Sequence, residues 1–76
     1  MKEVLEVVIK NLVDSPDDVS IVEKNDDKGI CYEVKVNSQD MGKIIGKQGK
    51  MAKAIRSVIK AIAQKEHKKV NVEFID

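Results

Sequence analysis

The sequence predicts an α+β fold: a three-stranded mixed sheet with three helices on one face, in the order α-β-β-α-α-β. Three observations carry this. Apolar residues recur at helical spacing over residues 2–13 and again beyond residue 50. Residues 30–37, ICYEVKVN, alternate apolar and polar with the two-residue period of a half-buried strand. Two helical segments then separate that strand from the last one, and a crossover of that length favours a parallel pair. The chain has 76 residues and no repeat, low-complexity tract or linker, so one domain is expected over 1–76.

The elements follow in order. In residues 2–13, Val4, Leu5, Val8, Ile9, Leu12 and Val13 form one apolar stripe, with Val7 off it. The breaker cluster Ser15-Pro16-Asp17-Asp18 should end this helix near Asp14. VSIVEK, 19–24, is short and β-branched, and NDDKG, 25–29, reads as a hairpin connection ending in glycine. In the second strand Ile30, Tyr32, Val34 and Val36 face one way, and Cys31, Glu33, Lys35 and Asn37 the other. Ser38 can cap a short helix over about 39–45, with Asp40 in its first turn. That helix stops at Gly46. A longer one runs from Gly49 to about Gln64, with Met51, Ile55, Val58 and Ile62 inward and Ile59 at the margin. KEHKK connects it to a final strand over 70–75, with Val70, Val72 and Phe74 on one face.

Composition narrows the function. The net charge is +1, but residues 41–65 hold six lysines, Arg56 and no acid, while the rest of the chain is acidic. Charge segregated in this way suggests an anionic partner docking on one side. Cys31 and His67 are each single, so neither a disulfide nor a zinc site is expected, and the lack of cystines fits a reducing compartment. The N-terminus is interrupted by Glu3, Glu6 and Lys10, unlike a signal peptide, and no run approaches the roughly 18 apolar residues of a membrane span. A cytoplasmic protein without membrane insertion is the expectation. So small a core has modest stability and often gains from a partner chain.

Gly46 and Gly49 interrupt a helical pattern, and a helix-interior glycine costs roughly 1 kcal/mol relative to alanine. Two of them mark a turn that something must approach closely. Lys43, Lys47 and Lys50 surround it at the electropositive start of the following helix, which makes a phosphate-binding turn. It is not a nucleotide P-loop: Gly42 and Gly46 have three residues between them, and Gln48 stands where a hydroxyl for magnesium is required. Nor does it match G-x-G-x-x-G, and a helix rather than a strand precedes it. No nucleophile with a base, paired carboxylates or metal cluster is evident, so no enzyme, cofactor or small-molecule substrate is expected.

Ile44-Ile45-Gly46-Lys47-Gln48-Gly49 resembles the I-I-G-x-x-G signature of KH domains, whose loop clamps about four nucleotides of single strand. The element order resembles the type II KH fold across the whole chain. The run Asp40-Met41-Gly42-Lys43-Ile44-Ile45-Gly46-Lys47-Gln48-Gly49, with the chain length, is similar to the small bacterial single-KH family KhpA. The resemblance implies RNA binding, self-association, pairing with a larger KH protein, KhpB (Jag or EloR), and links to cell-wall synthesis and cell division. It further implies that Gly46 and Gly49 admit the backbone, Lys47 meets a phosphate and Gln48 a sugar or phosphate. Lys43, Lys50 and Lys53 add electrostatic attraction, and Ile45 and Val36 are candidates for an apolar floor beneath the bases. Arg56 and Lys60 stand as either contacts or solvated charges, and Val36 as either floor or core. Tyr32 and Phe74 read as packed rather than stacking residues. Ala52 departs from the usual isoleucine or leucine, which points to a shallower groove. Two other readings stay open: a protein-association adaptor, and a binder of single-stranded DNA.

Overall fold

Helix α1, Lys2–Leu12, buries Leu5 and Ile9 completely. In the computed structural model, which describes residues 1–75, its apolar stripe is narrower than the pattern suggests. Val8 and Val13 are half-buried, whereas Val4 and Leu12 are each 40% exposed and Val7 60%. The expected domain spans 1–76, of which residue 76 lies outside the described residues. The breaker cluster folds as a single 3-10 turn, Pro16–Asp18, with proline at its first position, where its fixed φ suits the turn.

Strands β1, Ser20–Asp26, and β2, Gly29–Lys35, pair antiparallel, with Ile21 opposite Val34 and Glu23 opposite Tyr32. Strand β3, Val70–Phe74, lies parallel to β2 with Val72 opposite Tyr32, giving the order β1-β2-β3. The sheet is therefore mixed, as the crossover length requires. Gly29 makes the β2–β3 start possible. It has φ +136°, and a Cβ there would collide with the Lys69 carbonyl oxygen, which accepts the Ile30 amide at 2.9 Å.

Three helices were expected, and the chain adds a 3-10 turn to them. The helical segment Ser38–Lys65, α2, consists of two helices joined where Gly46, Lys47, Gln48 and Gly49 leave helical angles. Residues 38–45 and 50–65 are its two limbs. Asn37, not Ser38, is the N-cap: its side chain accepts the Gln39 amide at 3.0 Å and donates to Asp18 at 3.0 Å. Asp40 is more than a dipole partner. It is buried, and its two oxygens accept the amides of Asp14 (3.0 Å) and Ser15 (3.1 Å), tying the start of α2 to the chain leaving α1.

The second limb is rotated from the expected face. Ala52, Ile55, Ile59 and Ala63 are buried, and Ile59 is fully so rather than marginal. Val58 is 49% exposed, and Met51 and Ile62 are half-buried. The two alanines carry little volume, so the limb can pack close to its neighbours at these positions. The core lies between α1, α2 and one sheet face, where Tyr32, Val34, Val36 and Val72 alternate inward. Burial and then Glu23 push the Tyr32 hydroxyl up to about 12.

Candidate nucleic-acid interface

The kink is a turn of unusual backbone shape. Gly46 swings out of the helix at ψ 171°, and Lys47, Gln48 and Gly49 then follow at φ 52°, 64° and 71°. Glycine occupies this left-handed region freely, but a residue with a Cβ loses about 1–2 kcal/mol there. Lys47 and Gln48 both accept that cost, and neither is buried in compensation: both side chains are exposed. The conformation presents them outward from the electropositive start of the second limb. Exposed non-glycine residues held in this region are a mark of a ligand-gripping segment.

The neighbouring glycines give a second indication. A Cβ built at Gly42 or Gly46 would meet nothing within 4 Å. Neither has a positive φ, so the fold itself does not demand glycine at either place. Both line a cleft of about 540 Å³ with Lys43, Lys47, Lys50 and Met51. Missing side chains thus keep a basic cleft open at the backbone.

The turn also borders a second cleft, of about 350 Å³, lined by Ile45, Gln48, Gly49, Ala52, Lys53, Arg56 and Phe74. Its floor is partly apolar, with Ile45 49% exposed, and its rim is cationic. Arg56 is fixed there: its Nε donates to the Val72 carbonyl at 3.0 Å, and its guanidinium stands 5.6 Å from the Phe74 ring centroid. A planar cation stacked in this manner is held in place, unlike a solvated lysine.

The structure therefore gathers Ile45, Gly46, Lys47, Gln48, Gly49, Lys50, Lys53 and Arg56 around one turn. Lys43 is there too, but its Nζ pairs with Asp14 Oδ2 at 2.7 Å, and that hydrogen bond raises its pKa. Part of its charge is already answered within the chain. Val36 is buried in the core and lines neither cleft. Phe74 and Ala52 supply the floor instead. Phe74 is only half-buried and borders the cleft, which alternation along β3 could not reveal. That position follows from β3 being an edge strand beside the second limb, a tertiary fact. Among the described residues no cluster of three or more His, Cys, Asp or Glu could hold a metal ion, and no helix is long and apolar enough to cross a membrane.

Residues 2–74 match the family described as KhpA/KhpB, KH domain. The chain is 56% identical over 75 residues to the RNA-binding protein KhpA of Clostridium perfringens, covering 99% of this chain and all of that one. It is 49% identical over 75 residues to the protein of that name in Caldanaerobacter subterraneus, again 99% of this chain and all of that one. With the one from Listeria monocytogenes it shares 42% identity over 76 residues, the whole of both. No solved structure gives a significant match.

Proposed function

The chain belongs to the KhpA/KhpB family of KH domains, and from that premise we propose that it binds single-stranded RNA at the Gly46, Lys47, Gln48, Gly49 turn. The observation that carries the reading is the run of three left-handed residues, two of them exposed and not glycine. Lys47 and Lys50 meet phosphates across the open glycine backbone, with Lys43 as a weaker contributor because of Asp14. Gln48 hydrogen-bonds to sugar or phosphate. Bases lie over Ile45, Ala52 and Phe74, with Lys53 and Arg56 at the rim. The small Ala52 leaves the bases without a tight side-chain wall, so base selectivity is low. The role is one of binding rather than catalysis.

One module holding about four nucleotides binds weakly, and association of modules raises the effective affinity. Ala54, Val58 and Ala61 form an exposed apolar stripe on the second limb, and Val7 is exposed on α1. These support self-association or pairing with a second KH protein of the KhpB type. Ile59 has no part in it, being fully buried.

Fluorescence anisotropy with a labelled mixed-sequence single-stranded RNA tests the reading. Contacts from three or four of the turn's cations give a slope of log K against log salt of about −2 to −3. Lys47→Asp/Gln48→Asp, checked for folding by circular dichroism, abolishes binding. Equal binding by both proteins would move the contact away from the turn.

A further inference from the structure

At the opposite end of the second limb lies a cleft of about 890 Å³ that the RNA-gripping turn does not use. Three segments bring four lysines to it: Lys28 from the β1–β2 turn, Lys60 from α2, and Lys68 and Lys69 from the approach to β3. All four are exposed. Elsewhere the structure pairs Lys24 with Glu33 and Lys43 with Asp14, but none of these four has an acidic partner within 4.0 Å among the described residues. Asp27 on the cleft wall and Glu66 in the adjoining turn offset part of the charge and leave it positive. The negative end of the helix dipole accounts for a lysine just after the second limb, such as Lys68. It does not account for Lys28 on the hairpin or Lys60 more than a turn inside.

Two elements connect this cleft to the turn. Lys53, Arg56 and Lys60 fall at i, i+3 and i+7 along one helix face. The first two border the groove beside the turn, and Lys60 borders the far cleft. Strand β3 flanks both, through Phe74 at one end and Asn71 at the other. From Gly49 to Lys60 the helix rises about 17 Å. That is roughly two Debye lengths at physiological ionic strength, so charges at the far cleft are screened from phosphates confined to the turn.

We propose that the Lys28, Lys60, Lys68 and Lys69 cleft is a second phosphate-binding surface. It takes the RNA strand as the strand leaves the groove, so that the footprint extends beyond the four or so nucleotides held at the turn. The proposal rests on the RNA-binding reading above. A closed anion pocket for a small phosphate compound is not what the lysines form: they ring an open surface and continue a cationic row.

The test compares mixed-sequence RNA oligomers of four and ten nucleotides by anisotropy across a salt series. Three proteins are used: the natural chain, Lys60→Gln/Lys68→Gln, and the charge-matched control Lys2→Gln/Lys10→Gln on α1. Circular dichroism establishes that each is folded. The far-cleft variant should weaken the ten-nucleotide complex by about tenfold and lower its salt slope by roughly 1.4, the single-strand value for two lost phosphate contacts. Binding of the four-nucleotide RNA should stay within about twofold, since the removed charges are screened from it. The control should leave both complexes unchanged. Equal losses for both lengths, or no loss for either, would overturn the second surface while leaving the turn's role intact. Failure of the natural protein to bind either oligomer would overturn both.

Discussion

Replacing Gly42 by alanine separates what the fold needs from what the ligand needs. Gly42 lies inside the first limb of α2, is exposed, and has space for a Cβ with no atom within 4 Å. Alanine there should gain the difference in helix propensity, about 1 kcal/mol. For a domain of this size, that raises the midpoint of thermal unfolding by about 4–8 °C. The added methyl group, however, projects from the wall of the cleft shared by Lys43, Gly46, Lys47 and Lys50. It should hold an RNA backbone away and weaken binding by about fivefold, near 1 kcal/mol. Circular dichroism melting and anisotropy titration read the two effects on one sample. A lower melting temperature would mean that the position is packed in a way the open space denies. A higher one with unchanged affinity would refute the claim that the missing side chain serves the ligand.

Other predictions follow from single contacts. Asp40→Ala leaves the amides of Asp14 and Ser15 without their acceptor and should destabilise the domain by about 3 kcal/mol, measured by urea unfolding. Gly49→Ala places a Cβ at φ 71° and should cost about 1–2 kcal/mol of stability by the same measurement. Arg56→Lys loses the fixed bond to the Val72 carbonyl and the stack on Phe74, and should weaken RNA binding severalfold despite keeping the charge. Tyr32 gives a pH signature. Its hydroxyl titrates near 10 when unfolded and at about 12 in the fold, so the unfolded chain releases its proton first as pH rises. Its contribution is therefore whole below pH 10 and lost between pH 10 and 12, and Tyr32→Phe should remove that part of the slope in unfolding free energy.

Much of the fold was legible in the chain because local patterns and topology agree. The alternation of ICYEVKVN gave the inward set Tyr32, Val34 and Val36, and the crossover length gave the parallel β2–β3 pair. The parts that were not legible depend on tertiary contact. Alanine carries little weight in a hydrophobic pattern, so the face built on Ala52 and Ala63 was set one residue away, and Ile59 was placed at an edge when it is central. Asp40 looked like a dipole partner because nothing local shows that Asp14 and Ser15 return to it. The two glycines located the break between the helices, where Gly46, Lys47, Gln48 and Gly49 all leave helical angles. At the candidate site, the spacing of Gly46 and Gly49 located the turn from sequence. The groove floor at Phe74 needed the sheet edge to be in place first.

The central claim is that the turn itself meets the RNA. Its most direct test is a titration of the ¹⁵N-labelled protein with a mixed-sequence tetranucleotide, followed by amide chemical shifts. The account predicts the largest shifts at Gly46, Lys47, Gln48 and Gly49, extending to Ala52, Lys53 and Phe74 along the groove. Shifts confined to α1 or the open sheet face, with the turn unmoved at saturation, would contradict it.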